Sequence, residues 1–390
     1  MTKYLLKDVI ATDSPLLNDN ILVVGASGSG KTTLFVDTQI KNSIGSIVVS
    51  DTKSNLYKKY KADLEKRGYK VILIDFNDLE KSTYGYNPMD LLIEQGDEYS
   101  VEEVKRIAYT ICPDDPRENE PFWAHSARLF LESYLMLTLE IVEPDKVPPN
   151  LRTVAAFISD ISIQNAYAMM FEDGDNLSEV FRSFGRLIRV ADAERTMACI
   201  QQYVFNHIQC FDTDNMFRFF TRSEKIDFTK MAKEKTALFL NVSDTDRTND
   251  KLVSLFYTQL FHELIRYADS LEESRLPIPL NVIMDDFATN TFISGFADII
   301  SVIRSRGISV DIILQSLSQL KGKYREADAM TIINNCDRCI YLGANDVQLI
   351  DYISQKADRQ VSSLLNMPLD TAIAFERGQE PREIKKQFEF

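Results

Sequence analysis

The amino-acid sequence predicts an α/β fold: a mostly parallel central sheet whose chain is interrupted by an inserted all-α domain. Three observations carry that prediction. Short apolar strands alternate with helices at both ends of the 390-residue chain. The middle reads as helices with almost no strand. The first strand runs into a helix through a glycine-rich turn.

The first element, "NILVVGASGSGKTTLF", is a β-branched strand, a turn and a helix start. Its residues Gly25, Ala26, Ser27, Gly28, Ser29, Gly30, Lys31 and Thr32 match the phosphate-loop pattern in the strand-to-helix setting that the pattern requires, and Thr33 leads on into the helix. Glycines let backbone N–H groups turn toward phosphate oxygens, and the helix adds its positive N-terminus. Lys31 can reach the outer phosphates and the Thr32 hydroxyl can ligate Mg²⁺, so ATP with Mg²⁺ is the expected ligand.

Next come a strand, "SIVVSD" (46–51), a helix, "NLYKKYKADLEKRG", closed by Gly68, and a strand, "KVILID" (70–75). From about Asp97 to about Arg222 the periodicity is helical, with breakers such as Pro113, Pro148 and Pro149 between segments. The final segment, "LSEVFRSFGRLIRVADAERTMACIQQYVFNHI", reads as one helical run. Alternation resumes with "TALFLNVS" (236–243), "LNVIMDDF" (280–287), "SVDIILQS" (309–316) and "RCIYLGA" (338–344). The expected division is therefore 1–96 and 223–390 for one nucleotide-binding domain and 97–222 for the insertion.

The stretch "LNVIMDDF" ends an apolar run on two carboxylates. A buried parallel strand ends in acid when it aims a carboxylate at Mg²⁺ at the sheet's C-terminal edge. Asp285 is then the metal-side acid, and Asp286 stands where many ATPases place a water-activating glutamate.

Composition narrows the class. The chain is 45% hydrophobic and 26% charged, as in a folded globular protein. With 44 Lys and Arg against 58 Asp and Glu, the net charge of −14 argues against non-specific coating of DNA by the whole surface. A local basic channel stays open. The most apolar window, "LFLESYLMLTLEIV", carries two glutamates and reads as a core helix. The N-terminus is too acidic for a signal peptide. Five scattered cysteines suggest reduced thiols and a cytoplasmic setting, and the pair Cys336 and Cys339 lacks the partners of a zinc set.

Taken in order, "GASGSGKT", "VVSDTKSNLY", "YNPMDLL", "PFWAHSARLFL", "VIMDDFA", "VIRSRGISVDIILQSLSQL" and "NNCDRCIYLG" resemble the TraG-type coupling ATPases of conjugation and type IV secretion. The resemblance covers nearly the whole chain from about Asn20. It implies a RecA-like P-loop NTPase that works as a homo-hexameric ring, with a monomer in the absence of DNA as the alternative, and FtsK and HerA translocases as more distant relatives. It further implies recruitment of a relaxase–DNA complex and transfer of single-stranded DNA toward a secretion channel. By the same resemblance Gln315 matches a sensor of the γ-phosphate or attacking water, and Arg304 an arginine finger given to the neighbouring subunit. Arg306 is close enough to compete for that role. Lys53, in "DTK", matches a family lysine near the nucleotide.

Two departures stand out. Family members usually carry N-terminal transmembrane helices, whereas here the phosphate loop begins at residue 25. The chain is then either a soluble form held at the inner membrane face by a membrane-anchored partner, or a fragment. Asp286 replaces the commoner glutamate, one methylene longer, which would draw a base back by about 1 Å on a fixed backbone; slow hydrolysis or a shifted local backbone would each accommodate it. Two other functions stay open: an ATP-binding docking adaptor with little hydrolysis, suggested by Asp286, and a cytosolic DNA-processing ATPase unrelated to secretion, suggested by the missing anchor. Among basic features, Arg182, Arg186 and Arg189 share one helix face. "KGKYR" (321–325) reads as a loop in which Tyr324 could stack on a base among phosphate-tracking cations.

Overall fold

The computed structural model describes residues 3–93, 99–114, 121–143, 146–172, 178–191, 193–287 and 292–387. It divides into two compact units: one of residues 1–77, 227–247 and 260–390, the other of residues 78–226 and 248–259. The sequence borders of 96 and 222 lie inside the second unit, which also takes in residues 78–93 and 223–226.

Among the described residues the first unit is built on a nine-stranded sheet. Its strands are β3 (Ile21–Val24), β4 (Ser46–Asp51), β5 (Lys70–Asp75), β6 (Thr236–Asn241), β7 (Leu280–Met284), β8 (Ile308–Leu314), β9 (Arg338–Tyr341), β10 (Thr371–Glu376) and β11 (Arg382–Lys385). They lie in the order β11-β10-β9-β3-β8-β7-β4-β6-β5. From β9 to β5 every pairing is parallel, and β10 and β11 add an antiparallel edge. The strands from β3 to β9 are buried along nearly their whole length, as strands covered on both faces of a parallel sheet are, and are mostly apolar. Val23, Val49, Phe239, Ile283, Ile313 and Ile340 share one face and pack with Leu34, Phe35 and Ile40 from the helix after the phosphate loop.

That helix opens π-wound over Lys31–Val36 and continues as α1 (Asp37–Lys41). Helix α2 (Leu56–Lys66) starts where the Asp51 carboxylate accepts from the N–H groups of Lys53 (3.1 Å) and Leu56 (2.6 Å). It stops at Gly68, whose φ of 82° suits glycine. A small hairpin, β1 (Tyr4–Leu6) with β2 (Val9–Ile10), precedes the sheet. Ahead of it Lys3 is buried: its Nζ donates to Asn281 Oδ1 (2.6 Å) and Asp311 Oδ1 (3.2 Å), tying the chain start to β7 and β8.

The second unit holds α3 (Val101–Ile111), α4 (Phe122–Ile141), α5 (Leu151–Asp160), α6 (Ile163–Glu172), α7 (Glu179–Ala191), α8 (Glu194–Ile208) and α9 (Asp214–Phe220), with the first half of α10 (Asp250–Asp269). Side-chain caps start several of them: Asn150 accepts from Thr153 N–H (3.1 Å) and Thr213 from Met216 N–H (3.2 Å). Its core stacks Phe130 on Tyr134 (4.9 Å) and sets Phe184 edge-on to Tyr134 (5.3 Å). The segment read as one helical run is two helices, with Ala193 leaving helical geometry at ψ 68°. Among the described residues no helix is long and apolar enough to cross a membrane.

Candidate functional site

Strand β3 ends in a turn that only glycines can close. Gly28 and Gly30 hold φ of 76° and 96°, in the left-handed region. At Gly25 a Cβ would stand 2.3 Å from Ser29 Oγ and 3.1 Å from Leu342 Cβ. The root of the turn is tied to both neighbours of β3: Gly25 N–H donates to Leu314 O (3.1 Å) and Ala26 N–H to Gly343 O (2.7 Å). Lys31 Nζ donates to the carbonyls of Gly25 and Ala26 at 3.1 Å each, so the loop curls round its own lysine.

The loop lines a cavity of about 980 Å³ at the C-terminal edge of the sheet. Ser27, Gly28, Gly30, Lys31, Thr32, Thr33, Lys53, Asp285, Asp286 and Gln315 all border it. Sequence reasoning had put these residues together, and the fold brings them to one place. Strand β8 lies between β3 and β7, so Gln315 at its end falls between the loop and the two acids.

The contacts there are specific. Thr32 Oγ1 donates to Asp285 Oδ2 (2.9 Å), and Gln315 Nε2 donates to Asp286 Oδ1 (2.6 Å). Asp286 sits at φ 50°, a left-handed conformation that aspartate tolerates better than most residues. The chain thus turns sharply between the two carboxylates. Burial, and then the neighbouring Asp286, pushes the Asp285 carboxyl up to about 6, against the opposing pull of Thr32 and Lys31. Burial likewise lowers Lys31, opposed by the two aspartates.

The donor set suits Mg²⁺ and a phosphate chain. A hydroxyl and a carboxylate are hard oxygen donors, and Mg²⁺ is usually held by one or two carboxylates together with substrate phosphates. Among the described residues there is no group of three or more His, Cys, Asp or Glu that could form an all-protein cage.

Sequence reasoning missed several residues of the site. Asp37 and Lys59, an ion pair at 2.5 Å, border the cavity, as do Thr52 and Gln387 near the chain end. Ser50, at the end of β4, binds the backbone of Asp285. Only its polarity at the end of an apolar strand set it apart in the sequence.

Other sequence expectations fall elsewhere. Arg304 lies before β8, at the opposite edge of the sheet, and its guanidinium donates to Pro15 O. The seven residues of β8 put about 20 Å between it and Gln315. Arg304 is therefore not part of this chain's own phosphate-loop cavity. Arg306 makes a two-pronged contact with Asp269 (2.9 and 3.1 Å). Arg182, Arg186 and Arg189 are all exposed on α7, with Arg182 paired to Glu179 (2.7 Å).

The expectation for "KGKYR" is corrected. Leu317–Lys323 is helical, Lys321 pairs with Glu326 (2.7 Å), and Tyr324 is buried. Its ring stacks on Phe287 (5.9 Å) and its hydroxyl accepts from Ile293 N–H (2.9 Å). An aromatic beside three basic residues looked like a platform; with Phe287 and Phe292 against it, it is core.

A mostly parallel sheet with the phosphate loop after β3, an acid just past β7 and an intervening β8 followed by Gln315 defines a RecA-like P-loop NTPase fold. The chain belongs to the family described as type IV secretory system conjugative DNA transfer, whose model matches residues 7–359. It is similar to protein VirD4 of Rhizobium radiobacter, at 21% identity over 86% of this chain, and spans about half (47%) of that relative's length. Among solved structures it is similar to the bacterial conjugative coupling protein TrwBdeltaN70 in its unbound monoclinic form (TM-score 0.74, 15% identity, 100% of this chain and 89% of the other). It is also similar to the plasmid coupling protein TrwB in complex with ADP and Mg²⁺ (TM-score 0.71, 17% identity, 95% and 86%).

Proposed function

We propose that this chain is the ATP-hydrolysing motor of a conjugative coupling protein, which recruits a relaxase–DNA complex and drives single-stranded DNA toward a secretion channel. The observation that carries the reading is the convergence of Lys31, the Thr32–Asp285 pair and the Gln315–Asp286 pair on one cavity. Family membership and the likeness to a coupling protein solved with ADP and Mg²⁺ support it.

In this reading the loop from Gly25 to Thr33 cradles the phosphates and Lys31 meets the outer ones. Thr32 and Asp285 hold Mg²⁺, which when bound neutralises charge on the phosphate oxygens. Lys53 stands by the nucleotide. Gln315 orients the attacking water and Asp286 takes its proton. Arg304, far from its own cavity, serves the neighbouring subunit of a homo-hexamer. The helical unit receives the cargo, and a membrane-anchored secretion partner holds the protein at the inner membrane face.

The test is Mg²⁺-dependent ATP turnover with and without single-stranded DNA, for the unaltered chain and for Lys31→Ala. Turnover that rises with DNA and vanishes in Lys31→Ala is expected. Equal turnover in the variant overturns the assigned site. A second reading, a nucleotide-binding platform with slow turnover, is favoured by the hydrogen bond that occupies Gln315 and Asp286 with each other. Tight ATP binding with DNA-insensitive, near-background turnover would select it.

A further inference from the structure

We infer that Ser50 is a positioning residue that sets the geometry of both acids through the backbone of Asp285. This rests on the proposed nucleotide site. The β4–β7 ladder runs from Ser46 opposite Leu280 to Val49 opposite Ile283, and β7 pairs with β8 as far as Met284. Asp285 lies one residue beyond the end of β7. At that point a side chain replaces the ladder: Ser50 Oγ accepts from Asp285 N–H (2.8 Å) and donates to Asp285 O (3.2 Å). One hydroxyl thus grips the same residue by both backbone groups. Ser50 and Asp285 are 4% and 5% exposed, so water has little access to replace either bond.

The grip lies where the chain changes direction. Asp285 Oδ2 is fixed by Thr32, its backbone is fixed by Ser50, and the next residue turns to φ 50° to meet Gln315. Without the hydroxyl, Asp285 can pivot about its peptide planes. The carboxylate facing Thr32 and the left-handed turn that aims Asp286 then move together. The neighbouring Asp51 has a separate task, capping α2. The last two residues of β4 therefore divide their work, Ser50 on β7 and Asp51 on the helix.

The experiment compares the full chain with Ser50→Ala, Ser50→Cys and Ser50→Thr. Three quantities are read: hydrogen exchange of the segment 280–287 without nucleotide, Mg²⁺ dependence of binding a fluorescent ATP analogue, and ATP turnover. Ser50→Ala and Ser50→Cys should exchange at least tenfold faster in that segment and need severalfold more Mg²⁺ for half-maximal binding. Their kcat should fall about 10- to 100-fold, as a displacement of about 1 Å can cause. Mg²⁺-free nucleotide binding should change less than about threefold, since the loop itself is untouched. Ser50→Thr keeps the hydroxyl and should restore the Mg²⁺ dependence. Unchanged exchange and Mg²⁺ dependence in Ser50→Ala and Ser50→Cys would overturn the inference, as would an equal loss in Ser50→Thr, which would indicate packing alone. If Ser50→Ala fails to fold, Ser50→Cys, which keeps the side-chain shape but offers only a weak hydrogen-bonding group, decides. Should the unaltered chain turn over no ATP, the hydrolysis reading fails on its own, and exchange with Mg²⁺-dependent binding still decides on Ser50.

Discussion

Replacing Asp285 by asparagine should make the nucleotide-free protein more stable around β7 at neutral pH. The Asp285 carboxyl is raised from 3.8 to about 6, with burial as the first cause. Each pKa unit corresponds to about 1.4 kcal/mol, so holding the charge above pH 6 costs about 3 kcal/mol at most. Asparagine removes that charge and keeps an oxygen for the Thr32 hydroxyl. Part of the gain is offset by the new amide, which must find an acceptor in a buried position. A net gain of about 1–2 kcal/mol corresponds to a roughly five- to thirtyfold slowing of exchange. A group whose folded pKa is raised contributes stability that is fully present below its unfolded value and is lost as pH rises through its folded value. The advantage of Asp285→Asn is therefore largest near pH 7.5, narrows by roughly 1 kcal/mol at pH 5.5 and closes between about pH 5.5 and 4.5. The assay is native-state hydrogen exchange of residues 280–287, corrected for intrinsic rates at each pH. Faster exchange in Asp285→Asn at pH 7.5, or a pH-independent gap, would refute the reasoning. It would mean that Lys31 and Thr32 favour the ionised carboxylate more than burial penalises it. The same variant should lose Mg²⁺-dependent stabilisation by nucleotide, which separates a quieter fold from a working site.

Three further outcomes are expected. Asp286→Asn keeps an acceptor for Gln315 and should bind ATP normally, while hydrolysis falls about 10²- to 10⁴-fold, because an amide cannot take the water's proton; single-turnover kinetics check this, and undiminished turnover returns the role to another group. Arg304→Ala and Lys31→Ala should each be inactive alone, an arginine finger being worth about 10³- to 10⁵-fold, yet regain turnover when mixed, since some intact loops then meet intact fingers; silence in hexamers shown by mass to be mixed would move Arg304 out of the trans role. Tyr324→Phe strips the buried Ile293 N–H of its acceptor and should lower stability by about 1–3 kcal/mol without a direct loss of DNA affinity; a stable variant that binds single-stranded DNA less tightly would restore the stacking role.

The site was legible in the sequence where its chemistry is local. Residues 25–32 are contiguous, and their glycine spacing states the backbone shape. Asp285 showed itself as an acid ending an apolar strand, because a buried strand's period and its end are both written in consecutive residues. The helical middle was legible for the same reason. The antiparallel edge of β10 and β11 was not: β11 is four residues long with one buried side chain, Ile384, too little to show a period. The division of the chain at 77 and 227 likewise depends on what residues 78–93 pack against.

The sequence by itself determined the strand-forming runs, the phosphate loop and the residue types at the ends of strands. Only the tertiary structure decided which ends meet. It placed β8 between β3 and β7, so that Gln315 reaches Asp286 across 29 positions of sequence, and it put Arg304 at the far edge of the same sheet. It made Tyr324 a core ring where its neighbours in sequence suggested a surface one. It also turned Ser50 toward a backbone 235 positions away. Backbone preferences and hydrophobic period act over a few residues and are read directly from them. Burial, strand order and the partners of a polar side chain come from long-range packing, in which many residues settle together and no short stretch holds the answer.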